Sequence, residues 1–356
     1  MTGPFTLDQA AREARLLPAL INLTDDHRAR SVAYDRILGA TGFGPGFHAE
    51  RIADLPWLPV RLFKQLELKS IPDSEVFRVL TSSGTTGDVS RIFLDRPAAA
   101  AQTKALAETL QTVLGPDRLP MLIVDTRAVF EARSSFSARG AGVLGMMTFG
   151  RDHAWVLDAA GRPDPAVVRD FLARRGDAPF LVFGFTFMVW TYLYELARDE
   201  GLDLSNGILI HSGGWKKLID RAVDNREFRR AFSDVGLTRI HNFYGMVEQI
   251  GVVYLEGVEG DALYCPDFAD VIVRDPETWE PQPPGKPGLI EVISTLPESY
   301  PGHLLLTEDL GVVHGIDDGT WPGKRFSILG RLPRAEARGC SDTFTVADVV
   351  GAGSTA

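Results

Sequence analysis

The sequence predicts an α/β protein with a mostly parallel sheet, followed by a smaller antiparallel β region. Between Val76 and Gly251, short apolar runs such as PMLIVD and PFLVFGF alternate with longer stretches of helical periodicity. Repeated strand–helix units need crossovers, which bury a parallel sheet on both faces. After Gly251 the helical periodicity ends, and short strands such as HLLLTEDLG and GVVHGID are separated by Pro- and Gly-rich turns.

These patterns divide the chain into four parts. Residues 1–70 are predicted to be a helical segment, because FTLDQAAREARLLPAL and DDHRARSVAYDRILGATG space their apolar residues three and four apart. Residues 71–250 form the α/β core and residues 251–335 the β-rich subdomain. Residues 336–356, which are mostly small, form a loose tail.

The composition narrows the class of partner. The 356 residues are 45% hydrophobic, enough for a sizeable core, and carry a net charge of -10. That charge argues against nucleic acid or an anionic membrane surface as the main partner. No apolar run reaches the roughly 18 residues of a membrane span. Two cysteines, Cys265 and Cys340, and an N-terminus without an apolar signal segment favour a reduced, cytoplasmic protein that binds a small molecule.

The stretch TSSGTTG, residues 81–87, suits an anion. Its hydroxyls are donors, and its glycines permit the backbone turns that direct several N–H groups toward one point. The alternative is a polar surface turn. Three other polar stretches follow predicted strands: HSGGWKK (211–217), HNFYGMVE (241–248) and LLTEDLG (305–311). We expect them at the carboxyl ends of strands, where open α/β sheets bind ligands.

Together the four stretches offer what the activation of a carboxylate requires. Joining an acid to ATP places a carboxylate oxygen on the α-phosphorus and expels pyrophosphate. The charge on the phosphate oxygens must then be met by hydroxyls, amides, cations and Mg²⁺. The adenosine also needs a flat surface for its ring and an acceptor for its ribose hydroxyls.

The order TSSGTTG, SGG, NFYGMVE, TEDLG and Gly330–Arg331 resembles the adenylate-forming superfamily, which includes acyl-CoA synthetases and firefly luciferase. Within it, the short length, GGWK and the late ARGCSD resemble the acyl-protein synthetase (LuxE-like) family. The resemblance implies the fold of the superfamily's large N-terminal domain, with the C-terminal lid domain absent or vestigial. It implies that ATP and Mg²⁺ activate a fatty or aryl acid as an acyl-adenylate, which is then transferred to a thiol.

The resemblance also implies roles for the glycine-rich loops. The β- and γ-phosphates of ATP would be held by the residues of the first stretch: Ser82, Ser83, Gly84, Thr85, Thr86 and Gly87. Thr86 would also take part in catalysis. Gly213 and Gly214 would let the backbone approach one face of the adenine. Lys216, Lys217 and Arg91 are either counter-charges for phosphate or solvated surface residues.

The remaining roles fall on the later motifs. Asn242 and Tyr244, followed by Gly245, would flank the adenine, with the tyrosine ring stacked on the base. Glu248 would bind Mg²⁺ and assist catalysis. Asp309 would accept hydrogen bonds from the ribose hydroxyls, and Arg331 would contact ribose or phosphate. The sequence departs from the superfamily at Val247, where threonine is usual.

By the same resemblance, Cys340 would receive the acyl group and pass it to a partner, either an acyl reductase or an acyl carrier. Arg334 and Arg338 precede it, and nearby cations favour the thiolate that attacks. A buried structural cysteine is the alternative, and Cys265 is predicted to be one. Two other functions remain open: a CoA ligase resembling phenylacetate-CoA ligase, and a non-catalytic nucleotide-binding homologue. The aromatic helix FTFMVWTYLYEL (185–196) is predicted to pack in the core or to form one wall of an acyl or aryl pocket.

Overall fold

The computed structural model describes residues 3–44, 46–82, 89–130, 138–215, 222–260 and 262–332. Its helices are α1 (Gln9–Arg30), α2 (Val32–Ala40), α3 (Leu62–Gln65), α4 (Arg96–Leu114), α5 (Ala138–Met147), α6 (Pro165–Arg175), α7 (Thr186–Met188), α8 (Glu195–Glu200) and α9 (Asn225–Asp234). A π-helix, Val189–Tyr194, joins α7 to α8. Short 3₁₀ helices cover Ile52–Asp54, Asp73–Glu75, Arg127–Phe130 and Val247–Gln249.

The strands are β1 (Leu58–Pro59), β2 (Arg78–Thr81), β3 (Arg91–Leu94), β4 (Leu119–Thr126), β5 (Gly150–Leu157), β6 (Phe180–Phe185), β7 (Gly207–Ser212), β8 (Arg239–Tyr244), β9 (Tyr254–Glu256), β10 (Leu263–Tyr264), β11 (Ala269–Arg274), β12 (Pro287–Ser294), β13 (Leu304–Ile316) and β14 (Lys324–Arg331). The chain forms two compact units. The first comprises residues 1–105, 246–252 and 264–356, and the second comprises residues 106–245 and 253–263. The four-part division remains a prediction.

The second unit contains the parallel sheet that the sequence predicts. Its strands lie in the order β5-β4-β6-β7-β8-β9, and all neighbours are parallel except β8 and β9. Strands β6 and β7 are apolar runs buried on both faces, as a parallel sheet covered by helices requires. One core cluster holds the sheet against its helices and includes Val124, Phe171, Val182, Leu209 and Phe232.

The first unit contains the antiparallel region. Strands β11-β12-β13-β14 lie side by side and antiparallel, β1 adds to β13 in parallel, and β2 pairs with β3 in a separate hairpin. Helix α1 begins at the cap Asp8, whose side chain accepts from the Ala11 N–H. Its apolar face, with Leu16 and Leu20, packs on Ile293 and Leu304 of the strands.

Two predicted boundaries are wrong. HLLLTEDLG and GVVHGID are one strand, β13, because irregularities in its pairing with β14 accommodate the glycine that suggested a turn. At Gly311 a side chain would lie 2.7 Å from the Ser327 carbonyl oxygen, so this glycine serves close strand packing. The predicted helical segment DDHRARSVAYDRILGATG is divided: DDHRAR belongs to α1, which ends at Arg30 before the extended residue Ser31, and Val32–Ala40 form α2. Among the described residues, no helix is both long and apolar enough to cross a membrane.

Candidate active site

In the second unit, the carboxyl ends of β7 and β8 bring four predicted residues to one edge of the sheet. These strands are parallel neighbours in which Ser212 faces Phe243. Gly213 and Gly214 follow β7 and are exposed, while Tyr244 ends β8. Gly213 has a φ of 84°, in the left-handed region that favours glycine, and the space around a Cβ on Gly214 is open. This edge therefore presents bare backbone beside an aromatic ring.

Tyr244 and Asn242 are each half-buried and contact a residue of β9. The Tyr244 ring is half-buried, with its centroid 6.0 Å from that of Tyr254. The Asn242 backbone N–H donates to Glu256 Oε2 at 2.8 Å. Its side-chain Oδ1 is buried and has no hydrogen-bond partner among the described residues. A buried acceptor of this kind fits an exocyclic amino group such as that of adenine.

Beside Asn242 lies a buried neutral histidine. His211 faces Asn242 in the register of β7 and β8, stacks on Phe228 at 4.7 Å, and shares a hydrogen bond of 3.0 Å between Nδ1 and Thr186 Oγ1. Burial lowers the pKa of His211 to about 3, and the charge of Arg229 adds to the effect. His211 is therefore uncharged at neutral pH and adds no positive charge to this edge.

In the first unit, Ser82 of the TSSGTTG stretch pairs with Ser90. Its hydroxyl accepts from the Ser90 N–H at 2.9 Å, and its own N–H donates to the Ser90 carbonyl oxygen at 3.1 Å. These bonds continue the pairing of β2 with β3 by one step, to Ser82 and Ser90. The other predicted phosphate contacts lie outside the described residues: Ser83, Gly84, Thr85, Thr86 and Gly87.

Glu248 lies on the 3₁₀ turn Val247–Gln249 and is 7% exposed. The turn is held by Gln249, whose Nε2 donates to the carbonyl oxygens of Val292 at 3.1 Å and Gly302 at 3.0 Å. A side chain at Gly302 would come within 2.8 Å of the Glu248 carbonyl oxygen. Burial raises the pKa of Tyr300 above its usual value, and the negative charge of Glu248 raises it further.

One rigidly placed carboxylate fits Mg²⁺. This ion takes one or two carboxylates, and the phosphates and waters complete its shell. In the described part of the chain, no group of three or more His, Cys, Asp or Glu could hold a metal without such help.

Asp309 and Arg331 face each other across β13 and β14. Arg331 Nε lies 3.7 Å from Asp309 Oδ1, and its Nη2 lies 3.3 Å from Glu308 Oε2. The other oxygen of Glu308 accepts from Arg61 Nε at 2.7 Å. Partial burial alone would raise the pKa of Glu308, but the hydrogen bond from Arg61 and the charges of both arginines lower it. The predicted ribose acceptor therefore lies beside an acid flanked by two cations.

Of the two cysteines, Cys265 lies within the described residues. Cys265 is fully buried, which agrees with a structural role, and burial raises the pKa of its thiol to about 12. Cys340 lies outside the described residues, as do Lys216 and Lys217.

Comparison with known proteins identifies the family. Residues 3–347 match the family model described as "Acyl-protein synthetase, LuxE". The chain belongs to this family. Membership confirms the predicted resemblance and enzyme class, an ATP-dependent acid–thiol ligase.

The acyl-protein synthetase family includes two curated relatives that bear the same name, long-chain-fatty-acid–luciferin-component ligase. The protein from Vibrio harveyi is 24% identical over 331 residues, covering 84% of this chain and 79% of the relative. The protein from Aliivibrio fischeri is 22% identical over 320 residues, with the same coverage of both chains.

Solved structures confirm the predicted fold. A 2-hydroxyisobutyryl-CoA ligase in complex with 2-HIB-AMP superposes with a TM-score of 0.70 at 20% identity, covering 92% of this chain and 70% of that chain. Its open conformation with 2-HIB-AMP and CoA gives a TM-score of 0.68 at 21% identity, covering 92% and 76%. At this identity the likeness shows an adenylate-forming fold.

The residues that hold the acyl-protein synthetase motifs in place were not predicted from the sequence. Glu256 binds the backbone of Asn242, and Arg61 pairs with Glu308, the residue before Asp309. Glu308 is adjacent to Asp309 in TEDLG, so its charge was a visible signal. Arg61 lies 247 residues away from Glu308, and neither it nor Glu256 belongs to a motif.

Proposed function

We propose that the protein uses ATP to convert a long-chain fatty acid into its acyl-adenylate and loads the acyl group on Cys340 for delivery to a partner protein. The buried acceptor Asn242 Oδ1, on the strand that ends at Tyr244 and neighbours the strand leading to the exposed Gly213 and Gly214, carries the nucleotide part of this proposal. The names of the two curated relatives support a fatty acid and a protein partner.

In the first step, a carboxylate oxygen bonds to the α-phosphorus, the bond from this phosphorus to the bridging oxygen breaks, and pyrophosphate leaves. Asn242 Oδ1 accepts from the adenine amino group, while Tyr244 contacts the ring. Asp309 accepts from the ribose hydroxyls, and Arg331 beside it donates to ribose or phosphate. Glu248 would hold Mg²⁺, which neutralises charge on the phosphate oxygens.

In the second step, the thiolate of Cys340 attacks the acyl carbon. The thiol loses its proton to solvent, a carbon–sulfur bond forms, the bond to the adenylate oxygen breaks, and AMP leaves. Delivery to a partner repeats this exchange on another nucleophile.

An apolar surface at the same sheet edge suits the acyl chain. The end of β6 and the helical stretch after it carry half-buried aromatic rings packed on the second unit's core: Phe185, Phe187, Trp190, Tyr192 and Tyr194. Phe185 lies opposite two glycines, since a Cβ on Gly142 or Gly213 would be 3.5 or 3.4 Å from its ring. Aromatic walls with small residues between them leave room for an extended hydrocarbon.

The test measures pyrophosphate release with a panel of saturated acids of increasing length, and the intact mass of the protein after reaction. Longer acids should release pyrophosphate fastest, and the protein should gain one acyl mass that hydroxylamine removes. Cys340→Ser should abolish the mass gain. Cys265→Ala, at the buried cysteine, should retain it.

Three outcomes would contradict parts of the proposal. If none of the acids in the panel caused pyrophosphate release, fatty-acid activation would be refuted. A mass gain that persists in Cys340→Ser would refute the carrier role. A rate that requires added CoA, with no labelled protein, would make CoA the acceptor.

A further inference from the structure

The edge of β8 that faces β9 is completed by side chains. Strand β9 pairs with β8 through two facing pairs, Phe243 with Leu255 and Tyr244 with Tyr254. Two residues apart on a strand, the backbone groups of Ile240 and Asn242 point to the same edge. The Ile240 carbonyl oxygen accepts from Arg229 Nη1 at 2.7 Å, and the Asn242 N–H donates to Glu256 Oε2 at 2.8 Å. The side chains of Arg229 and Glu256 thus replace the backbone hydrogen bonds that a longer β9 would make to β8.

These two side chains form an ion pair away from water. Arg229 Nη1 lies 3.2 Å from Glu256 Oε2, and the side chains are 18% and 4% exposed. Asn225 Nδ2 donates to the second carboxylate oxygen at 2.6 Å and also to the Gly260 carbonyl oxygen at 2.9 Å. Both oxygens of Glu256 are therefore hydrogen-bonded, which a buried carboxylate requires.

The surrounding backbone is shaped for this pair. The guanidinium of Arg229 passes so close to Gly260 that a Cβ there would overlap it, and Gly260 has a φ of 71°. The ring of His241, between Ile240 and Asn242, hydrogen-bonds through Nδ1 to the Glu256 carbonyl oxygen at 3.0 Å. Ile240 and Asn242 of β8 are thus tied to α9 and β9 by the two partners of the ion pair, and His241 between them is tied to the backbone of β9.

We propose that the Arg229–Glu256 ion pair is a positioning unit for adenine recognition. The pair holds the backbone of Asn242 in place and thereby directs its Oδ1 toward the base. It orients the ring of Tyr244, two residues later, in the same way. This inference rests on the proposed function. A displacement of about 1 Å at a binding group is enough to remove its contribution to the geometry.

A purely structural role for the pair makes a different prediction. If the pair only stabilised the fold, its loss would lower the stability of the protein and weaken all nucleotides alike. If the pair positions Asn242, its loss should weaken the binding of those nucleotides whose base carries the amino group that Asn242 binds. The discriminating quantity is the ratio of the dissociation constants of ITP and ATP, because inosine has a carbonyl oxygen where adenine has the amino group.

The experiment measures both dissociation constants by calorimetry, with Mg²⁺ and without any acid. Wild type should prefer ATP. Glu256→Gln removes the charge that pairs with Arg229 and turns one carboxylate oxygen into an amide donor that faces another donor, so the hold on the Asn242 N–H is weakened. We expect the dissociation constant of ATP to rise roughly five- to tenfold, as for the loss of one hydrogen bond between neutral groups, while that of ITP changes less than about twofold.

Glu291→Gln is the matched control. Glu291 on β12 is also fully buried and pairs with Arg274 at 2.5 Å, but it belongs to the first unit. Glu291→Gln should lower the stability of the protein and leave the ratio of the ITP and ATP dissociation constants at the wild-type value. Should Glu256→Gln fold poorly, Arg229→Lys keeps the charge without the planar fork that reaches both Ile240 and Glu256, and it should narrow the ratio as well.

The outcomes separate the two proposals. Wild type that binds neither nucleotide refutes the proposed function and this inference with it. Wild type that binds ATP and ITP equally refutes adenine reading by Asn242 and therefore the positioning role. Wild type that prefers ATP, with a ratio unchanged in both the Glu256 and Arg229 variants, refutes the positioning role alone.

Discussion

Mild acid should destabilise the first unit by protonating a buried histidine of α1. His27 is completely buried near the end of that helix. Its Nδ1 lies 2.8 Å from Ser70 Oγ and its Nε2 2.9 Å from the Pro297 carbonyl oxygen. Burial lowers the pKa of His27 to about 4. The hydrogen bond to Pro297 opposes this, the positive charge of Arg30 adds to it, and the negative charge of Asp26 opposes it slightly.

The direction of the effect follows from which state binds the proton. Between pH 6.5 and about 4 the unfolded chain protonates His27 while the folded chain keeps it neutral. The stabilisation is therefore complete above pH 6.5 and is lost as the pH falls toward 4. At about 1.36 kcal/mol per pKa unit, the gap amounts to about 3 kcal/mol of unfolding free energy.

Urea unfolding between pH 7.5 and 4 measures this loss. It is best done at low protein concentration, since the net charge of -10 at neutral pH shrinks as carboxylates protonate. Wild type should lose about 3 kcal/mol more than His27→Gln over this range. Other buried histidines titrate in both proteins, so the difference reports His27 together with its effect on His303, whose ring lies 5.0 Å away. Burial lowers the pKa of His303, and the charge of His27 lowers it further. His48→Gln, at an exposed histidine, should follow wild type. Parallel curves for wild type and His27→Gln would refute the reasoning.

Two further predictions concern the proposed nucleotide site, and a third concerns stability at the turn that carries Glu248. Asp309→Asn should raise the KM for ATP roughly tenfold and leave the KM for the acid unchanged in a pyrophosphate-release assay, because charge-assisted hydrogen bonds to ribose are weakened; an equal effect on both substrates would contradict the ribose role. Glu248→Gln should raise the Mg²⁺ concentration for half-maximal rate about tenfold or more, since a charged ligand becomes neutral; an unchanged Mg²⁺ titration would contradict the metal role. Gly251→Ala should lower the unfolding free energy by about 2–4 kcal/mol in urea, because its φ is 87° and a Cβ would lie 2.7 Å from Gln102 Cα; an unchanged urea midpoint would show that the 3₁₀ turn beside it tolerates the side chain.

The parallel sheet was predictable because its strands are short apolar runs that end in polar residues. PFLVFGF, GILIHS and RIHNFY became β6, β7 and β8, and their ends carry the expected glycines, asparagine and tyrosine. Local pattern is sufficient here because burial on both faces of a parallel strand demands a continuous apolar run. It was insufficient for β13, where Gly311 reads as a turn but packs against Ile290 and Ser327 of the neighbouring strands.

Partners that are distant in sequence were beyond prediction. The charge of Arg61 reaches Glu308 across 247 residues, and a surface arginine before a helix has no feature that marks it for this contact. Its partner is set by β1 joining β13 in parallel, with Leu58 facing Leu305. A two-residue strand gives no usable periodicity, so the register that delivers Arg61 to the TEDLG motif comes from tertiary packing.

The edge of β8 shows why a motif locates a binding residue without explaining its precision. Asn242 is found by its neighbours in NFYGMVE, but the direction of its side chain depends on where its backbone is held. The ladder to β9 begins one residue later, at Phe243, and leaves the Asn242 N–H to the carboxylate of Glu256. A hydrophobic residue at position 256 would fill the space equally well and would remove the desolvation cost of a buried charge. It would also leave the Asn242 N–H and the Arg229 charge without an acceptor. The ion pair therefore satisfies both buried groups, and in doing so it holds the backbone of Asn242 in one position.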